Sequence, residues 1–134
     1  MELSDVLNPV ASIIYGEGDQ VPGCQLSVEE AKAWLSALEP RRPFCLIADW
    51  CWLDLDLPLA SRALSDQQTP PAVVYGGNVL FDSRHRFPIG GWVRSTMLVA
   101  LRDEFIFETR NTRYVLMGPG ARRTSSTSAV ASIR

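Results

Sequence analysis

The chain has 134 residues, 46% of them hydrophobic and 21% charged, and a formal net charge of −2. These values are those of an ordinary globular domain and exclude a collagen-like chain, a coiled-coil rod and a wholly disordered polypeptide. The charge is uneven: residues 1–70 carry −7, residues 71–134 carry +5, and 12 of the 13 basic residues are arginine.

Asn8-Pro9 is a helix-start pair, an N-cap followed by proline at the first helical position. Val10, Ile13 and Ile14 then give a short apolar face that Gly16 stops, so a helix is expected over 9–15. Residues 16–23 are loop chemistry. Ser27 and Glu30 form a capping box, in which each side chain satisfies a main-chain N–H of the other's residue. Val28, Ala31, Leu35 and Leu38 recur at helical spacing, with Trp34 flanking the stripe, which predicts a helix over 28–39 ended by Pro40. Phe44 to Ala48 is an apolar run between turn signals and reads as a buried strand. From Trp50 to Leu57, Leu53, Leu55 and Leu57 alternate with Asp54 and Asp56, a period-two pattern. Residues 59–64 suit a helical turn, and 65–71 a connector inside one domain.

The second half reads as β-structure. Two short strands, 72–75 and 78–81, flank Gly76-Gly77, a hairpin signal. A polar loop, 82–91, leads to a meander of strands over 92–101, 105–110 and 113–117, with turns centred on Asp103-Glu104 and Asn111-Thr112. Two-residue turns would set Leu101 opposite Ile106, Arg110 opposite Arg113 and Glu108 opposite Val115. Like charges directly opposed are unfavourable. Either Glu108 lies between the two arginines and neutralises them at a solvated sheet end, or Arg110 and Arg113 present forked donors to a phosphate or carboxylate. After Gly118-Pro119-Gly120 the composition turns to Ser, Thr and Arg, so residues 121–134 are expected to be a disordered tail.

The residues that carry chemistry are few. The three cysteines, Cys24, Cys45 and Cys51, lack zinc-ligand spacing, and His85 is the one histidine, so no metal and no other cofactor is expected. His85 lies in the most polar loop, Asp82-Ser83-Arg84-His85-Arg86, with no spacing that selects a nucleophile to pair with it. Asp49, Asp54 and Asp56 form an acidic group beside Trp50 and Trp52. It offers oxygen ligands to a hard cation but lacks the ligand series of an EF-hand. Neither glycine pair belongs to a nucleotide-binding pattern. The acidic amino terminus has no basic-then-apolar leader pattern, and no apolar run approaches the roughly 20 residues of a membrane span. A cytoplasmic location without membrane association is therefore the expectation.

Arginines of the second half interleave with aromatics: Arg86 with Phe87, Trp92 near Arg94, Arg113 beside Tyr114. Phosphate contacts beside stacking faces are the ingredients of nucleic-acid binding, although the chain as a whole is acidic. The acidic and basic halves also have the charges to face one another within one domain.

Residues 86–96, Arg-Phe-Pro-Ile-Gly-Gly-Trp-Val-Arg-Ser-Thr, and residues 107–116, Phe-Glu-Thr-Arg-Asn-Thr-Arg-Tyr-Val-Leu, resemble a family of small uncharacterised bacterial and prophage proteins common in pseudomonads. The family pattern runs roughly GRF-x-x-G-x-W-V-R-T-S and then E-T-R-N-T-x-Y-x-L. Here His85-Arg86 stands for Gly-Arg, and Ser95-Thr96 for Thr-Ser. The resemblance covers about a quarter of the chain. It implies a small β-rich domain, supplies no catalytic residues, and raises the expectation of a mobile-element role of the anti-defence or immunity type.

Together these readings predict one α+β domain over residues 1–120, helical over 1–43 and β-rich over 44–118, with two N-terminal helices packed on an antiparallel β-meander. The leading expectation for function is a non-enzymatic module that binds a protein partner through Arg86, Trp92, Arg94, Arg110, Arg113 and Tyr114. One alternative is a nucleic-acid-binding module using the arginines of the β-rich half. The other is a small enzyme using His85 or the Asp49, Asp54 and Asp56 cluster.

Overall fold

The computed structural model describes residues 19–56 and 71–126. In chain order the elements are β1 (Asp19–Val21), α1 (Val28–Leu38), β2 (Phe44–Asp56), β3 (Ala72–Asp82), β4 (Val93–Arg94), β5 (Ala100–Arg102), β6 (Ile106–Glu108), β7 (Arg113–Leu116) and β8 (Gly120–Ser126). The segments expected as a helix over 9–15 and a helical turn over 59–64 lie outside the described residues, as does nearly all of the 65–71 connector.

α1 forms as its sequence dictates. Ser27 Oγ accepts from the Glu30 N–H at 3.1 Å, and Glu30 Oε1 accepts from the Ser27 N–H at 3.0 Å, completing the capping box. Those contacts hold the Glu30 carboxyl below its ordinary pKa. Ala31 and Leu35 are buried against Phe44, Leu46, Ile106, Val115 and Met117.

The expected α+β meander is replaced by a mostly β architecture. Strands account for 49% of the described residues and helix for 12%, with one helix and a curled, mixed sheet that forms a half-barrel. β2 is its axis. One side of β2 pairs with β3, antiparallel, from Cys45 to Asp54. Its other side pairs in parallel with β7 over Phe44–Ile47 and then with β8 over Cys51–Asp56. Sheet order is β1-β8-β2-β7-β6-β5, with β3 and then β4 on the far side of β2. Sequence pattern alone pairs neighbours in the chain. Here the C-terminal strands return to the middle of the sheet, and β2, buried on both faces along much of its length, carries the near-continuous apolar run of such a strand.

Four local expectations change with the topology. Gly76-Gly77 is no hairpin turn, because β3 runs unbroken through it. Opposite, Asp49 adopts φ 50° inside β2, and a Cβ on Gly76 would come within 2.8 Å of the Ile47 side chain. The glycine permits two tightly coiled strands to approach. The β5–β6 connection has three residues, so Leu101 faces Phe107 and Arg102 faces Ile106. The β6–β7 turn is centred one residue early, on Arg110-Asn111, because Thr109 and Thr112 bond each other: the Thr109 N–H donates to the Thr112 carbonyl at 2.8 Å, and Thr109 Oγ1 accepts from the Thr112 N–H at 3.1 Å. Glu108 therefore faces Arg113, and Ile106 faces Val115. Lastly, residues 121–126, expected in the disordered tail, belong to β8, paired with both β1 and β2.

No helix among the described residues is long and apolar enough to cross a membrane.

Candidate docking cleft

The curl of the sheet leaves a concave seam. Val21, at the end of β1, and Phe105, in the β5–β6 turn, both pack on the core cluster that fills the half-barrel. The segment after β1 is pinned at the β7 end: the Cys24 N–H donates to the Leu116 carbonyl at 2.7 Å, and the Gly118 N–H donates to the Cys24 carbonyl at 2.9 Å. That contact sets Pro22 and Leu26 opposite Phe105. Leu26 precedes the N-cap of α1 and is 37% exposed. A leucine there ordinarily folds onto the fourth helical residue, but here that residue is the small Ala31.

The result is a cleft of about 550 Å³, walled by Val21, Pro22, Leu26, Trp34 and Phe105, with Gln25, Gly23 and Glu104 completing it. Its size and apolar lining are those of a ligand or side-chain pocket. Trp34 and Phe105 meet edge-to-face, with centroids 5.7 Å apart at 74°, which fixes one wall. Gln25 Nε2 donates to the Pro22 carbonyl at 3.1 Å and fixes another. Phe105 is held by its own backbone: its N–H donates to the Arg102 carbonyl at 3.2 Å and its carbonyl accepts from Leu116 at 2.9 Å. Just before it, Asp103 (φ 51°) and Glu104 (φ 67°) both occupy the left-handed region, which non-glycine residues adopt at some cost.

The residues singled out in the sequence do not converge. Arg113 is buried, and its guanidinium donates to the carbonyls of Leu35 (3.2 Å), Glu39 (2.9 Å) and Arg42 (2.5 Å) at the end of α1. Burial lowers its pKa. Tyr114 points to the opposite face, into the half-barrel core, and its hydroxyl pKa is raised by that burial. Arg110 is exposed on the β6–β7 turn. Glu108 is buried rather than solvated, and takes Arg42 at 3.4 Å and Arg102 at 2.6 Å. The structure thus overturns both expected arrangements of Glu108, Arg110 and Arg113, because the shifted turn leaves Arg110 exposed while Arg113 is buried under α1.

Arg86 holds the buried Asp82 by two side-chain bonds of 3.0 and 2.7 Å, and its main-chain N–H adds a third at 2.7 Å. It also reaches Thr112 Oγ1 at 2.8 Å. The pairing with Asp82 raises the Arg86 pKa. Trp92 is 43% exposed and stacked on Tyr75 at 6.0 Å. Arg94 is exposed and faces Tyr75 across β3 and β4. These two are the predicted site residues that do share one surface.

His85 (φ 53°) is exposed, with its ring edge-on to Phe81. Asp54 pairs with Arg122 at 2.7 and 3.0 Å and accepts from Trp52 Nε1 at 3.1 Å, while Asp49 is exposed. Among the described residues no group of His, Cys, Asp or Glu is placed to hold a metal ion. Burial pushes the Cys45 thiol up to about 12, with Asp82 adding to the shift, and Cys51 up to about 11.

Reading the sequence for charge and catalysis missed the cleft. Its signals were an apolar residue just ahead of the helix cap, a tryptophan beside rather than within the helical stripe, and an acidic turn before Phe105.

Over residues 22–132 the chain matches a domain of unknown function, DUF6957, and it belongs to that family. Comparison with curated proteins and with solved structures returns no match.

Proposed function

We propose that this domain is a non-enzymatic protein-interaction module that takes an apolar side chain of a partner protein into the seam cleft. One observation carries the reading: an open, apolar concavity of about 550 Å³, walled by Leu26, Trp34 and Phe105, at the rim of a rigid sheet. Fixed aromatic walls around a recess are what anchor residues of interfaces use.

The nucleic-acid reading draws less support. Such a site needs arginines free to reach phosphates, and Arg42, Arg86, Arg102, Arg113 and Arg122 are held by carboxylates or main-chain carbonyls. The enzyme reading draws less support as well. Asp54 is paired with Arg122, and burial raises the Cys45 and Cys51 thiols well above the reactive range. The resemblance of residues 86–96 and 107–116 to small bacterial and prophage proteins supports a cytoplasmic role of the anti-defence or immunity type, in which one small domain binds another protein.

Selection of random displayed peptides against the whole chain tests the reading. Enriched peptides should share a bulky apolar residue and bind with Kd of about 10–100 µM. Leu26→Glu, at a partly exposed wall position, should weaken them at least tenfold with an unchanged melting temperature. No enrichment, or binding indifferent to Leu26→Glu, overturns the proposal.

A further inference from the structure

The cleft is apolar inside with Glu104 at its mouth, and among the described residues no basic one lines it. Glu104 is part of the lining and Asp103 is its neighbour on the same turn, both exposed and neither ion-paired among the described residues. Asp19 is exposed at the start of β1, whose other end forms the wall. Glu29 and Glu30 lie in the first turn of α1, two and three residues after Ser27 and close in sequence to Leu26. Lys32 reaches Glu29 at 3.7 Å and Arg122 stands opposite Asp19 in the sheet, while Arg102 is engaged by Glu108 at 2.6 Å. The charge left without an ion pair among the described residues at the mouth is therefore that of Glu104 and its neighbour Asp103.

Two left-handed residues in succession, Asp103 and Glu104, hold this turn in a conformation that costs energy, and neither is the glycine that would relieve it. The backbone there fixes where Glu104 sits relative to Phe105 and Trp34.

We infer that the cleft recognises a peptide segment in which a bulky apolar residue is flanked by lysine or arginine. The apolar side chain enters the cleft against the Trp34–Phe105 wall, and the cation beside it meets Glu104 and Asp103. This inference rests on the docking function proposed above and assigns the partner's chemistry. Opposite charge at the rim acts on encounter rate and on discrimination against acidic partners, and it weakens with salt.

Three fluorescein-labelled peptides of equal length test it, each with a Leu-Trp centre flanked by lysines, by glutamines or by glutamates. Their binding to the whole chain is followed by anisotropy at low and at physiological salt. The lysine peptide should bind about tenfold more tightly than the glutamine peptide at low salt, and the glutamate peptide should bind least. Glu104→Lys should abolish the ratio of lysine-peptide to glutamine-peptide affinity, and Glu104→Gln should give an intermediate ratio. Equal binding of the three, or a lysine advantage that survives Glu104→Lys, overturns the inference but leaves the docking function standing if all three are lost in Leu26→Glu. Absence of binding by all three, or binding untouched by Leu26→Glu, removes both.

Discussion

Arg113 Nη1 donates to the main-chain carbonyl of Leu35 at 3.2 Å, so a sheet residue closes the end of the helix. The last turn of α1 contains no basic residue, and its carbonyl ends would otherwise face the core without a cation. β7 delivers the guanidinium there, and it reaches the Glu39 and Arg42 carbonyls as well. Arg113→Met should therefore cost about 2–3 kcal/mol in urea denaturation, the scale of leaving buried polar groups unpaired. Arg110→Met, on the exposed turn, should stay within about 0.5 kcal/mol. If the two substitutions cost the same, the helix-closing role of Arg113 is wrong.

Trp50 of β2 lies against Gly120 of β8 where the two strands pair in parallel. Trp50 Nε1 donates to the Gly118 carbonyl at 3.1 Å, which pins the indole over the backbone of Gly120. A Cβ on Gly120 would fall inside that ring, with Trp50 Cε3 only 2.6 Å away. Gly120→Ala should destabilise by about 2–3 kcal/mol, the upper part of the range for overpacking. Because the clash is with one ring, Trp50→Leu and Gly120→Ala should couple by more than about 1 kcal/mol in a double-mutant cycle. Additive costs would show that the indole has another way out.

Elements governed by local chemistry were readable from the residues alone. The capping box of Ser27 and Glu30 and the stripe through Ala31 and Leu35 are intramolecular over four residues, and α1 starts where they put it. Ile106, Val115 and Met117 pack on one side of the sheet and Phe107, Tyr114 and Leu116 on the other, because side-chain alternation survives a shift of the turn. What local pattern does not encode is which strands pair at long range. The parallel register of Phe44 with Arg113 joins residues 69 apart, and nothing in either segment names the other. The placement of the arginines followed from that pairing. Arg113 resembled a ligand-binding arginine until the return of β7 beside β2 set it under α1.

The cysteines give a chemical test of core integrity. Cys24, Cys45 and Cys51 are all free and buried. Burial raises the Cys45 and Cys51 thiols to about 12 and about 11, so at pH 8 almost no thiolate is present to react. In the native protein a disulfide-exchange reagent at pH 8 should modify none of the three within minutes. In denaturant it should modify all three at once. A fast-reacting thiol in the native state would mean that its strand opens locally far more often than the packing implies.

The Asp82 and Arg86 pair predicts the response to acid. Burial pushes the Asp82 carboxyl pKa up, but the hydrogen bonds and charge of Arg86 outweigh it and leave the group below its ordinary value of 3.8. A carboxyl with a lower pKa folded than unfolded binds fewer protons in the native state. Its contribution is present above the unfolded value and is lost as pH falls through the folded one. Stability measured by denaturant titration should therefore hold from pH 7 to about 5, bend downward near the ordinary carboxyl value, and continue to fall below it. Asp82→Asn should lower stability at pH 7, because Arg86 loses its ionic partner and the main-chain N–H of Arg86 loses a charged acceptor. It should also remove part of the acid slope, so that the two curves approach one another at low pH. Curves that stay parallel from pH 7 to 3 would show that Asp82 is not the group whose protonation loosens the loop carrying His85.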